Sequence, residues 1–184
     1  MKTTTQQADE ILQKCSTDCG SHHRLGLALK LLKKEPSPQV FWEVLCRVWD
    51  TCDNTWAYRA DMRFLMLLHQ NTRRQFVPSD QQVPRHLPSL IPIWRGCSRR
   101  RVKGFSWSLN RSVAEGFARG HREIRVPNAV IASANIPKRA VYFVANERKE
   151  EELVINPAKL RDVTVERFLV ADMEPSTVTF TAGS

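Results

Sequence analysis

In the first third of the chain, apolar positions recur at intervals of three and four residues, the period of a helix with one buried face. Ile11, Leu12 and Cys15 share such a face from about Ala8 onward. Leu25, Leu27, Leu29, Leu31 and Leu32 sit among helix formers, with Lys30, Lys33 and Lys34 at the end and Pro36 and Pro38 as a stop. Phe41, Val44, Leu45, Val48 and Trp49 give the clearest amphipathic pattern. Met62, Leu65, Met66 and Leu68 predict a further helix over 57–69, with His69 at its end. The tryptophans and methionines here read as core. Residues 1–5 carry only one apolar position and read as disordered.

The pattern changes after residue 77. Pro78, Pro84, Pro88 and Pro92 forbid a long helix and favour an extended connector. Runs rich in Val, Ile, Phe and Tyr then predict strands at 91–96, 104–108, 129–136, 140–144, 152–155 and 163–173. One helix interrupts them. Asn110 can cap it, Val113, Ala114 and Phe117 form its apolar face, and Gly120 can end it. Helices followed by strands predict an α+β fold. The chain is read as one domain over 1–184, with a helical part (6–70), a basic, proline-rich connector (71–93) and a β-rich core (91–175).

Charge adds a partner class. Lys and Arg number 28 against 19 Asp and Glu, a net charge of +9. This favours an anionic partner such as nucleic acid, a dinucleotide or an acidic protein surface. The excess is local. Arg73, Arg74, Arg85, Arg95, Arg99, Arg100, Arg101 and Lys103 fall within 71–103, where Asp80 is the one acid. The five cysteines are odd in number and lack the spacing of a secreted disulfide framework, so a reduced, cytoplasmic setting is expected. Cys15, Cys19, His22 and His23 are ligand types that zinc accepts, but Cys15 and Cys19 are also ordinary i, i+4 neighbours on a helix, and no metal is expected.

Three segments combine into candidate chemistry. In Trp94-Arg95-Gly96, an arginine at a strand end can fork onto phosphate, and the glycine admits a ligand to the backbone. In Phe105-Ser106-Trp107-Ser108, the two serines alternate on a strand and share a face. In Glu150-Glu151-Glu152-Leu153-Val154-Ile155, a carboxylate leads into an apolar strand. Taken singly, each has a plain reading: a surface arginine, a half-exposed strand, a solvated charge run.

Together, and in this order, these segments resemble the ADP-ribosyltransferase superfamily in its arginine–serine–glutamate branch. The likeness covers about residues 91–170. The run Gly104-Phe105-Ser106-Trp107-Ser108-Leu109-Asn110 and the helix after it are similar to small prokaryotic and phage-encoded members, among them anti-CRISPR ADP-ribosyltransferases. A tryptophan stands inside Ser-x-Ser where threonine is common. The run of three glutamates leaves the register open among Glu150, Glu151 and Glu152. The resemblance implies a split β-sandwich and an enzyme that consumes NAD and transfers ADP-ribose to a macromolecule. It implies that Glu152 stabilises the oxocarbenium-like transition state, that Ser106 orients it, and that Arg95 binds the NAD phosphates. It also implies that Gly96 holds the carboxamide, that Ser108 belongs to the cofactor pocket, and that Phe117 or Trp107 stacks on the ring. Glu150 would engage the acceptor. Arg99, Arg100 and Arg101, at the expected rim, would dock it, and a nucleic-acid-associated protein is the expected acceptor. Two other readings stand beside this one: a same-fold RNA 2′-phosphotransferase, whose arginine–histidine pocket the five histidines do not reproduce, and a non-catalytic nucleic-acid-binding module using 73–103.

Overall fold

The computed structural model describes residues 2–35, 37–120, 126–145 and 152–169. The helical periods fold as helices α1 (Thr4–Thr17), α2 (Ser21–Leu32), α3 (Pro38–Trp49) and α4 (Arg59–His69). The expectation of disorder over 1–5 is overturned for residues 2–5 by a capping box, and Met1 lies outside the described residues. The Gln6 amide donates to Thr3 Oγ1 at 3.2 Å, and the Thr3 amide donates to Gln6 Oε1 at 2.9 Å. Two of the amides that a helix start leaves unpaired are thus satisfied reciprocally. The connector also holds more structure than its prolines suggest, with a short helix α5 (Arg73–Phe76) before the first proline.

The strands are β1 (Leu90–Ser98), β2 (Ser106–Ser108), β3 (Ala129–Pro137), β4 (Val141–Ala145), β5 (Glu152–Ile155) and β6 (Arg161–Arg167). Helix α6 (Arg111–Arg119) lies between β2 and β3 in sequence and runs from an Asn110 cap to Gly120. The fold is α+β, with one antiparallel sheet of order β4-β5-β2-β1-β3-β6. Its ladders are unequal. Strands β1 and β3 pair along nine residues, whereas β1 and β2 meet only at Trp94 and Ser108. The sheet is therefore two three-stranded halves joined at one rung.

Alternation sends side chains to two cores. Phe143 and Val154 join α1–α4 around Phe41, Trp42 and Leu45. Ile93, Trp107, Ala132, Leu153 and Ile155 form the second core on the other face, shared by both halves and closed by Val83, Leu87, Val102, Leu109 and Leu160. Strand β6 begins two residues before the expected strand, and every residue of this edge strand is exposed. Residues 170–173 of the expected strand lie outside the described residues. Among the described residues, no helix is long and apolar enough to cross a membrane.

Candidate active site

Neighbours across an antiparallel pair project to the same face. Ser108 lies opposite both Trp94 and Glu152, and Ser106 lies opposite Val154. Trp94, Ser108 and Glu152 therefore form a row across β1, β2 and β5, with strands about 4.8 Å apart. Ser106 flanks the row, and Gly96 lies two residues along β1 on the same face. This row is the floor of a cavity of about 330 Å³. The C-terminal end of α3 makes one wall with Trp49, Asp50 and Asp53, and α6 makes the other with Ala114 and Phe117.

The cavity exists because two elements stand apart on the floor and one comes very close. The missing side chain of Gly96 lets α6 press on β1: a Cβ there would lie 1.7 Å from the Ala114 carbonyl oxygen. The second device is Arg95. Beyond the Trp94–Ser108 rung β1 and β2 diverge, and the Arg95 guanidinium bridges the gap. It donates through Nη1 to the Ser106 carbonyl and through Nε to the Arg101 carbonyl, the latter at 3.2 Å. A side-chain fork thus takes the place of ladder bonds where the strands part. Gly104 makes room for it, since a Cβ there would sit 2.5 Å from the guanidinium.

Glu152 opens β5. The indole N–H of Trp49 donates to its Oε1 at 2.7 Å. The Trp49 ring is held edge-on against Phe143, with centroids 5.8 Å apart, which fixes the donor. Ser108 Oγ accepts from the Asn110 amide at 2.9 Å. Asn110 Oδ1 in turn accepts from the Ser112 amide at 2.9 Å. The Ser-x-Ser strand and the cap of α6 are thus one continuous hydrogen-bonded unit. Asp53 accepts from the Ser21 hydroxyl, which ties the wall to α2.

Cys52 and Cys97 also border the cavity. Burial pushes the Cys52 thiol up to about 12. It raises Cys97 too, against the pull of Arg95 and Arg101. Neither is a thiolate at neutral pH, so nucleophilic thiol chemistry is disfavoured here. The lining otherwise offers carboxylates, hydroxyls and guanidinium groups.

The structure brings together Arg95, Gly96, Ser106, Ser108, Phe117 and Glu152 as the sequence predicts. It corrects Trp107. The same alternation that aims both serines into the cavity turns that ring into the opposite core, where it is 1 % exposed and its Nε1 donates to the Gly104 carbonyl at 3.0 Å. Trp107 cannot stack on a ligand in the cavity, and Phe117 and Trp94 are the aromatic residues placed to do so. The Arg99–Arg101 triplet is divided. Arg101 lines the cavity, while Arg99 and Arg100 are exposed outside it. Glu150 and Glu151 lie outside the described residues. Trp49, Asp50 and Asp53 were not foreseen. One signal was available in the sequence, an aspartate directly after the apolar pattern that ends at Trp49; the structure makes Asp50 the C-cap of α3, 9 % exposed. A buried carboxylate at the negative end of a helix dipole breaks a local rule, and such breaks concentrate at functional sites.

The chain matches no protein-family model, no curated protein and no solved structure.

Proposed function

We propose that this protein is an NAD-dependent mono-ADP-ribosyltransferase with a split β-sandwich fold, and that Glu152 is its catalytic carboxylate. One observation carries the reading. Arg95, Gly96, Ser106, Ser108, Phe117 and Glu152, drawn from three strands and a helix, line a single cavity.

The charges of the cavity suit a ligand with a cationic ring and a diphosphate. Asp50 and Asp53 line the cavity beside Trp49, which binds Glu152, and Arg95 and Arg101, joined by a hydrogen bond, also line it. In the proposed reaction the bond from ribose C1′ to the nicotinamide nitrogen breaks, and its electron pair leaves with nicotinamide. Positive charge then develops on the ribose, as in glycoside hydrolysis. The Glu152 carboxylate stabilises that charge from a position already fixed by Trp49, so little reorganisation is needed. Phe117 packs on the nicotinamide ring, and Ser106 and Ser108 engage the ribose side. The acceptor nucleophile bonds to C1′ and gives up its proton to solvent. Arg99 and Arg100 stand outside the cavity and would dock a macromolecular acceptor, which we take to be a nucleic-acid-associated protein.

The test is nicotinamide release and transfer of labelled ADP-ribose from NAD by purified protein. Glu152→Gln preserves shape but removes the charge, so turnover should fall on the order of a hundredfold or more. NAD binding should change far less, because the charge matters most in the transition state. Equal turnover by wild type and Glu152→Gln would overturn the assignment.

A further inference from the structure

The basic residues of 71–103 do not form one patch. Arg73, Arg74 and Arg85 meet Lys138 and Arg139, which sequence distance had hidden, around a second groove of about 660 Å³. It lies between α5, the connector over 82–89 and the β3–β4 turn. It is separate from the first cavity, with which it shares no lining residue. Ser89 borders the groove and Trp94 the cavity, five residues apart along one extended segment, roughly 16 Å at 3.3 Å per residue.

Among the described residues, the groove carries positive charge without local compensation. No acidic residue lines it, and none of its five cations pairs with a carboxylate among the described residues. Two of the five are fixed by neutral partners. Arg73 Nη1 donates to the carbonyls of Arg139 and Val141. Lys138 Nζ donates to those of Arg85 and Leu87 at 2.8 and 3.0 Å. The cations are thereby locked beside one another although they repel. Arg73 feels this: burial, and then Arg74, push its pKa down. Arg74, Arg85 and Arg139 stand exposed around the rim.

We propose that this groove binds the sugar–phosphate backbone of a nucleic acid, independently of base sequence and of any chemistry at Glu152. An acidic protein partner fits less well. Protein interfaces take their energy from apolar anchors, and of the apolar members of this groove Val77, Pro137 and Tyr142 are buried and Val83 half-buried. Nucleic-acid interfaces are polar and strongly positive. A lone phosphate would gain little from three exposed, screened arginines, whereas a strand engages them together and releases its counterions.

The experiment is fluorescence anisotropy of a labelled single-stranded RNA oligonucleotide over a salt series. The wild type should bind, with affinity falling steeply as salt rises. Arg74→Ala, Arg85→Ala and Arg139→Ala combined should weaken binding at low salt at least tenfold. It should also flatten the log–log salt slope by about 2, at roughly 0.7 per lost phosphate contact. The control Lys30→Ala/Lys34→Ala, exposed cations at the end of α2, should bind much as wild type does. Absence of binding by the wild type overturns the proposal, and so does equal loss in the control. Equal affinity for tripolyphosphate would make the groove a small-anion site, and equal affinity for polyglutamate a protein-docking one; either result overturns the proposal. Circular dichroism checks folding. Should the triple variant fail to fold, Arg74→Gln/Arg85→Gln carries the same test.

Discussion

Trp49 and Glu152 are joined by a 2.7 Å hydrogen bond across 103 residues of sequence. It ties the end of the helical part to the first residue of β5, so the helices help to build the cavity as well as enclose the core. Trp49→Phe keeps the ring contact with Phe143 and removes the donor. A hydrogen bond to a charged group contributes about 1.5–3 kcal/mol, less where solvent can replace it. We expect a loss of about 1 kcal/mol in urea denaturation. NAD turnover should fall by more than that loss explains, yet by less than in Glu152→Gln. Unchanged turnover would show that Glu152 needs no orienting donor.

Gly96→Ala should be costly out of proportion to one methyl group. The new Cβ would overlap the Ala114 carbonyl oxygen and approach the Ala118 amide nitrogen to 2.6 Å, both in helix backbone that cannot rotate away. Overpacking of this kind costs about 1–3 kcal/mol. The thermal midpoint should drop, and the amides of α6 should exchange faster. A variant as stable as wild type would mean that α6 slides freely on β1.

The proposed acceptor surface can be separated from the cavity because the fold divides the arginine triplet. Arg99→Glu/Arg100→Glu leaves Arg101 in place. Transfer of ADP-ribose to a macromolecular acceptor should fall and become less sensitive to salt. Hydrolysis of NAD by water needs no docking and should persist. A parallel fall in both activities would assign these side chains to folding or to NAD itself.

His69 predicts how stability varies with pH. It is 5 % exposed and stacks on Phe41 with centroids 4.3 Å apart, and burial lowers its pKa from the usual 6.5. Between the folded and unfolded pKa values the unfolded chain binds the extra proton, so stability rises with pH. The stabilising contribution is complete above pH 6.5 and is lost as pH falls toward the folded value. His69→Phe should flatten this part of a denaturation–pH curve. An identical curve in wild type and variant would place the titrating group elsewhere.

Local rules made much of this legible. The two-residue period put Ser106 and Ser108 on one face, and the apolar run after Glu152 made β5 pair beside them. The period gives parity but not surroundings, so the same rule left Trp107 free to be read as a ligand contact. Thr3 and Gln6 carried a readable capping signal that the absence of apolar periodicity masked. What the sequence concealed is non-local. Trp49 and Asp53 reach the cavity only through packing of α3 on the sheet. Lys138 and Arg139 reach the second groove only through the turn from β3 to β4.

The single rung between Trp94 and Ser108 makes the cavity floor the least cross-linked seam of the sheet. A compound lying across it, touching Glu152 on one side and Gly96 on the other, would act as a rivet. Its mark would be mechanical as well as chemical. Pulled apart along the chain, the protein should part first along this line, and a bound dinucleotide should raise the force that this first step requires.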